Sequence, residues 1–435
     1  LTANGLVRAG QFNQAARQGA YILIALLLPR LGVSRAAIGE WETLLFVGFV
    51  LGFGWTTGLL QGFLVHAGRL GEGAAPVFAR RAVAVTGGLS AGLLLLAALL
   101  HDPLFRLLQL TGPPPGWYYF FVLLLARWPS FCFEQGLVLE GAVRLLITYA
   151  VVNAAGLVAS FLLPLYLGHD LSVALRCLAG FAGAKALLVL VWTRFRAKAP
   201  VTDPPAAFGT DMRDWLRESR PLVAYAAVAA LVGAVDPWIV NYWSGGDEEV
   251  FAVFRYGVRE LPLLAALISG MTVVAIPLIA RDKGKGLKLL REQSRLLFHG
   301  IFLLSLLMML TAHLWWTWVF TPLFAESLPV FRTFLLVVGC RLVFAMTVLT
   351  ALKLTRRIYL LGVLELVVNV VLSLLLAPRY GLLGIIWATV IASYFHELCL
   401  VLYLRYRTGI TWRGYADLRW YALYAASLFL AYWWV

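Results

Sequence analysis

The chain has 435 residues, of which 61% are hydrophobic and only 13% are charged. With a mean hydropathy of +0.83, that composition excludes a soluble domain and a disordered chain, and fits a polytopic helical membrane protein. The net charge of +14 invites a nucleic-acid reading, but the basic residues lie mainly in short loops between apolar runs, so the excess reads as the positive-inside bias and no nucleic-acid partner is expected.

In chain order, apolar runs long enough to span a bilayer fall at 8–29, 41–65, 82–100, 117–138, 145–167 and 171–192. After a polar connector come 221–243, 251–279, 296–319, 330–352, 358–377 and 382–404, which makes twelve. The expected organisation is a first six-helix lobe at 1–194, a linker at 195–220, a second lobe at 221–407, and a basic tail with a short hydrophobic segment at 408–435. The linker has a Pro-rich centre and room for a short amphipathic helix over 211–220. The segment 420–435 is apolar but only 16 residues long and reads as a short thirteenth span, with an interfacial helix or a truncated end as the alternatives.

With the N-terminus inside, roughly two dozen Lys and Arg fall on the inner side against about five outside, and Asp247, Glu248 and Glu249 lie outside. Shifting the register by one helix would invert that bias. No cleaved signal peptide is recognisable: the chain opens polar and runs directly into the first span. Cys132, Cys177, Cys340 and Cys399 sit inside apolar runs without metal-ligand spacing, so they read as reduced residues, and neither metal nor cofactor is expected.

Arg127 and Arg341 stand near the middle of the fourth and tenth spans, half a chain apart. The same offset carries Pro164 onto Pro378 and Tyr166 onto Tyr380, which points to two parallel repeats. A charge at bilayer depth costs several kcal/mol unless it faces protein or water, so each arginine is a functional-site hypothesis by default. Two readings stand for Arg127. Its guanidinium fork suits a diphosphate; alternatively it forms a structural ion pair with Glu134, two turns along the same helix face.

Other intramembrane polar groups extend the constellation. On the first span Gln11, Gln14 and Gln18 share a face, and Asn13 and Arg17 form an adjoining i, i+4 pair; they either line a cavity or belong to a helix that enters the membrane only near Ala20. Arg255 and Arg259 are one turn apart in the eighth span, with Glu260 beside them, and Arg259 is the better candidate for a basic lining. Arg176 and Lys185 in the sixth span point to opposite faces, which leaves Lys185 as the cavity residue. The acids Asp236, Glu134, Glu365 and Glu397 serve either to neutralise basic neighbours or to carry a coupling proton or cation. Enzyme motifs fail: His396-Glu397 lacks the second His of HExxH, and Gly284-Lys285-Gly286 is too short for a phosphate loop.

The run TRRIYLLGVLELVVNVVLSLLLAPRYGLLGIIWATV resembles the C-terminal region of bacterial O-antigen-type polysaccharide flippases, through Arg356, Arg357, Asn369, Pro378, Tyr380, Gly381, Gly384, Ala388 and Thr389. VDPWIVNYWSGGDEEVFAVFRYGVRELPLL is similar to the start of that family's second half, with an acid at Asp236, and PRLGVSRAAIGEWETLLFVGFVLGFGWTTGLL to its first hairpin. The resemblance implies the multidrug/oligosaccharidyl-lipid/polysaccharide (MOP) exporter superfamily: an all-α, MATE-like fold of two six-helix lobes with pseudo-two-fold symmetry that works by alternating access. It implies a bacterial cytoplasmic (inner) membrane location. The substrate would be an oligosaccharide on a polyprenyl diphosphate, and the partners membrane lipids, a proton or sodium coupling ion and glycan polymerases. A MATE-type multidrug/ion antiporter is the main alternative, but the first span carries Arg17 and no acid, which favours an anionic substrate. A lipid II flippase would have two further helices, and a glycan polymerase or glycosyltransferase would need a larger external loop.

Overall fold

The computed structural model describes residues 3–67, 70, 74–195, 208–259, 268, 271–272, 275–276, 278–352 and 354–435. Among the described residues the regular structure is helix alone, and nine helices are long and apolar enough to cross a membrane. The protein is a multi-pass membrane protein of the expected all-α class. It divides into two compact units: unit 1 is Leu1–Ala234 with Asp247–Glu249, and unit 2 is Val235–Gly246 with Val250–Val435.

Unit 1 contains α1 (Ala3–Leu27), α2 (Arg35–Ala67), α3 (Ala74–Leu99), the short α4 (His101–Leu107), α5 (Trp117–Leu139), α6 (Val143–Tyr166), α7 (Leu171–Phe195) and most of α8 (Phe208–Ser244). The first helix is continuous from Ala3, so its polar stripe and its apolar half form one rod; Pro29 and the left-handed Gly32 end it. Four packing pairs organise the unit: α1 on α6, α6 on α7, α7 on α5, and α5 on α3.

The connector differs from a simple linker. Its Pro-rich centre at 196–207 lies outside the described residues, but from Phe208 the chain is already α8, and the short amphipathic helix expected at 211–220 is its first part. Trp215 is fully buried there, donates from Nε1 to the Leu59 carbonyl at 3.2 Å, and packs edge-on against Phe63 and Phe78. His66 at the end of α2 sits between Asp211 (3.1 Å) and Glu218 (3.3 Å), and Arg81 of α3 reaches Asp211 at 3.6 Å.

Further along, α2 and α8 approach closely because small residues recur every fourth position. A Cβ at Gly58 would overlap the backbone of Val223, one at Gly62 would overlap Ser219, and one at Gly54 would come within 2.9 Å of the Ala227 Cα. Two helices in an apolar solvent gain little from hydrophobic exclusion, so such close backbone approach is what holds the seam.

Unit 2 contains α9 (Glu248–Gly257) from Val250 onward, α10 (Lys283–Leu297) joined by a π-turn to α11 (Leu303–Phe320), then α12 (Ser327–Leu335), α13 (Val337–Arg341), α14 (Ala345–Ala351), α15 (Thr355–Thr408) and α16 (Leu418–Trp434). The eighth span expected at 251–279 is described only in part: α9 ends at Gly257, and residues 260–267, Glu260 among them, lie outside the described residues.

The tenth span, expected as one helix, is three short ones. It breaks at Leu336 and again over Leu342–Phe344, where Phe344 takes the left-handed φ of 58° that favours glycine. Carbonyls are capped from outside at the first break and in the short helix after it: Tyr394 Oη donates to Leu336 O (3.2 Å) and Tyr421 Oη to Gly339 O (3.1 Å). Irregular backbone at membrane depth needs such internal partners. Tyr421 belongs to α16, so the short C-terminal hydrophobic segment is a helix whose Tyr421 caps the broken span.

The eleventh and twelfth spans form the single long α15, bent at Gly381 with φ 59° and ψ −139°. Only glycine enters that region without strain. The Pro-x-Tyr motif therefore marks a helix end in both halves: Pro378 and Tyr380 precede the Gly381 bend, and Pro164 and Tyr166 precede the left-handed Gly168.

Two stability tests follow from this packing. Gly58→Val forces α2 off α8 and is expected to destabilise the protein by about 1–3 kcal/mol, whereas Gly88→Val, at a position with nothing within 4 Å, leaves the unfolding temperature in detergent unchanged.

The second concerns Glu248, half-buried where its backbone fills the space beside Gly39. Burial, and then Glu40 and Asp247, push its carboxyl up to about 7. The folded state holds that proton more tightly than the unfolded chain, so stability is full below the ordinary carboxylate range and is lost as pH rises through about 7. Glu248→Gln should gain on the order of 1 kcal/mol at pH about 8, discounted for the group's partial exposure, and nothing at pH about 4. Thermal unfolding across that pH range measures it.

A candidate anion-binding site in unit 1

Four helices of unit 1 line a partly open pocket. α5 presents Leu123, Arg127, Ser130 and Glu134, spaced at three or four residues and therefore on one face. From α1 come Arg17 and Tyr21, again one turn apart; α6 supplies Asn153 and α7 supplies Lys185. Pro129 interrupts the hydrogen bonding of α5 at the level of the pocket.

The ion pair with Glu134, the alternative reading for Arg127, does not form. Two helical turns separate them by about 10 Å along the axis, and Glu134 is instead reached from α1. Arg17 Nη1 lies 3.0 Å from Glu134 Oε2, and Asn13 Nδ2 donates to the same oxygen at 2.8 Å. Arg17 also lies over the Phe131 ring, 4.9 Å from its centroid. Arg127 donates from Nη1 to Tyr21 Oη at 3.0 Å, with its guanidinium 5.1 Å from the Tyr21 ring centre, while its Nε is buried without a hydrogen-bond partner. Lys185 Nζ donates to Asn153 Oδ1 at 3.2 Å.

The lining thus carries three cations and one carboxylate, and that carboxylate is committed to Arg17. Arg127 and Lys185 have only neutral partners, a phenol and an amide, at hydrogen-bonding distance among the described residues. Guanidinium and ammonium groups held this way keep donors available for an anion.

The other sequence candidates fall elsewhere. Gln14 and Gln18 are exposed on α1 and do not line the pocket. Arg176 is exposed beside the Tyr119 ring, on the far face of α7 from Lys185. Arg255 and Arg259 do not share one continuous helix: Arg255 lies in the last turn of α9, and Arg259 follows its end with its guanidinium 4.4 Å from the Tyr256 ring centre. Arg341 is exposed at the C-terminal end of α13, beside the break in the tenth span, whereas Arg127 lies in the interior of α5, two residues before Pro129. The equivalence of the two arginines in the repeat does not extend to their local structure.

The acids of unit 2 form two clusters. Asp236 accepts from Asn369 Nδ2 (2.8 Å) on one oxygen and from Thr389 Oγ1 (2.7 Å) on the other, and Ser373 Oγ donates to Asn369 Oδ1 (3.1 Å). Glu365 meets His396 Nδ1 at 3.0 Å and accepts from Ser393 at 3.2 Å, joining the two halves of α15. Glu397 Oε2 is buried without a hydrogen-bond partner. No group of three or more metal-ligating side chains occurs among the described residues. Sequence reasoning missed Tyr21 and Asn153. Tyr21 was within reach, since Asn13, Arg17 and Tyr21 continue one i, i+4 stripe.

No protein-family model and no curated protein sequence matches the chain. Solved structures do. The lipid II flippase MurJ in an inward closed conformation is 13% identical with a TM-score of 0.63, covering 98% of this chain and 97% of that chain. A multidrug-resistance MATE transporter of the MOP superfamily, inward-facing, is 15% identical with a TM-score of 0.60, covering 94% and 95%. A MOP superfamily transporter from Pyrococcus furiosus, whose binding pocket is described as of reverse polarity, is 17% identical with a TM-score of 0.59, covering 93% and 95%. The chain has the fold shared by these MurJ and MATE structures.

The pocket's charge pattern has a consequence for stability. Arg17→Leu strands the Glu134 carboxylate and is expected to destabilise by about 3 kcal/mol. Arg127→Leu removes a charge with no carboxylate partner and should leave the unfolding temperature equal or higher. Thermal unfolding of the two variants in detergent compares them directly.

Proposed function

We propose that the protein is a flippase that carries an isoprenoid-diphosphate-linked oligosaccharide across the bacterial cytoplasmic membrane by alternating access. The observation that carries this reading is the unit 1 pocket, in which Arg127 and Lys185 meet only neutral partners and leave a net positive site within a helical membrane unit. A diphosphate diester brings two negative charges at neutral pH, and the Arg127 fork with the Lys185 ammonium provides donors for both phosphates. Within unit 1, Gln14 and Gln18 on the exposed face of α1 are proposed for sugar contacts beyond the pocket; within unit 2, Arg255, Arg259 and Arg341 are proposed separately as substrate-binding residues. The isoprenoid tail stays in the bilayer and no bond is made or broken.

The fold of a lipid II flippase and the description of a reverse-polarity pocket in a MOP transporter both accord with an anionic cargo. Asp236, whose carboxyl oxygens accept from Asn369 Nδ2 and Thr389 Oγ1, is the first candidate to carry a coupling proton or sodium ion. Glu365 is tied to His396 and reads as structural; Glu397, with one oxygen lacking a partner, is the second candidate for coupling.

The test is headgroup translocation in proteoliposomes with a fluorescent lipid-linked oligosaccharide. Arg127→Ala and Lys185→Ala should each lower the rate at least about tenfold, the equivalent of one charge-assisted hydrogen bond of about 1.5 kcal/mol. Normal translocation by both folded variants, or export of a cationic dye dependent on Glu134, would replace this reading with a MATE-type exporter.

A further inference from the structure

Two basic segments, far apart in sequence, meet on one face of unit 2. α10 buries a single stripe, Gly286, Leu290 and Ser294 at every fourth residue, and leaves Lys283, Lys285, Lys288, Arg291 and Arg295 exposed. The turn from α15 to α16 packs on α10 through Trp412–Gly414, and the residues around it expose Arg405, Arg407, Arg413 and Arg419. Three acids fall in these segments: Asp282, Glu292 and Asp417. Asp282 caps α10 and lies 3.5 Å from Lys285. None of the other cations named forms an ion pair among the described residues.

Charge stops at one level on all three helices. α10 runs through the π-turn into α11, and 296–320 holds no Asp, Glu, Lys or Arg. α16 has none after Arg419, and α15 has none over 398–404, just before Arg405. These boundaries are packed together. The Arg295 guanidinium lies 5.7 Å from the Trp420 ring centre, His299 Nδ1 is 2.7 Å from Tyr424 Oη, and the Trp412 and Tyr421 rings are 4.8 Å apart. Trp and Tyr collected where charge gives way to apolar chain mark a bilayer surface, so the cations stand at the depth of lipid phosphates.

The positive-inside bias accounts for the number of cations on a side, not for their lack of acids. At the start of α8 in unit 1, Arg213, Arg217 and Arg220 are interleaved with Asp211, Asp214 and Glu218. The unit 2 face has no such neutralisation. Leu296 is 67% exposed and Leu402 54% exposed at the same level, which suits acyl chains and not an aqueous protein partner. We propose that this face of unit 2 is a docking surface for anionic phospholipids, whose headgroup phosphates are taken by the exposed Lys and Arg of α10 and of the α15–α16 turn. It is independent of what the unit 1 pocket binds.

Electron spin resonance of the full chain in phosphatidylcholine bilayers, with a trace of spin-labelled lipid, tests it. Labelled phosphatidylglycerol should associate with the protein at least about threefold more strongly than labelled phosphatidylcholine, and the excess should shrink between about 0.05 and 0.5 M salt. Arg405→Gln, Arg407→Gln, Arg413→Gln and Arg419→Gln combined should remove at least about half of the excess. Arg213→Gln with Arg217→Gln on α8 should leave it. Equal association of both lipids with the wild type overturns the inference and leaves the patch to an acidic protein or to topology alone. An excess kept in full by the fourfold variant overturns it as well, and so does one lost equally in the α8 variant. Should the fourfold variant fail to fold, wild type cross-linked to phosphatidylglycerol with a photoreactive headgroup decides the matter. Adducts concentrated on 283–295 and 405–419 support the docking surface, and adducts spread evenly over the basic residues of both units overturn it.

Discussion

The contact between Arg17 and Glu134 sets the character of unit 1. The pocket's single acid could have paired with any of three cations. By pairing across helices with Arg17, it leaves Arg127 and Lys185 resting on a phenol and an amide. Had Glu134 taken Arg127, the deepest guanidinium would be neutralised and the pocket would be a structural ion pair with a spare lysine. The choice follows from helix geometry: α1 packs on α6 and brings Arg17 to Glu134, whereas Arg127 is two turns away on its own helix.

Unit 2 resolves its charges differently. Asp236 is ringed by neutral donors, Asn369 and Thr389, which belong to opposite sides of the Gly381 bend. Glu365 and His396 also tie the two arms together. One bend, permitted by a single glycine, thus places an acid of α8 between two arms of α15, and the cluster exists only while that bend holds its angle. The halves of the chain share a repeat in sequence, yet one carries a cationic pocket and the other an acidic oxygen cluster.

Much of this was legible in the residues. Membrane-spanning character and the helical class follow from hydropathy, and the cost of burying charge singles out Arg127, Lys185 and Asp236 as intramembrane charged groups. The Pro-x-Tyr repeat marked both helix ends correctly. Tertiary choices were not legible. A face pattern shows that Arg127 and Glu134 point the same way, but cannot show that a neighbouring helix delivers a better partner. The breaks in the tenth span were hidden because 330–352 is mostly apolar and reads as a continuous span; the carbonyls of Leu336 and Gly339 are capped by two tyrosines, Tyr394 and Tyr421, distant in sequence. The start of α8 was masked by the Pro-rich stretch ahead of it, although Trp215 and the Gly54, Gly58 and Gly62 series form the two faces that hold it.

The polar face of α5 also bears on how the chain enters the membrane. Among the nine apolar helices, Trp117–Leu139 has the lowest mean hydropathy, 1.2, while 56% of its apolar window is covered by protein, against 17–50% for every other one except Ser327–Ala351. A segment with a central arginine, a glutamate and a proline gains least from lipid as it leaves the insertion machinery. Its favourable surroundings are α3, α6, α7 and the polar stripe of α1, two of which are synthesised after it. The helix that carries Arg127 and Glu134 is thus the one whose residence in the bilayer depends on its neighbours arriving, which ties biogenesis of unit 1 to completion of α7.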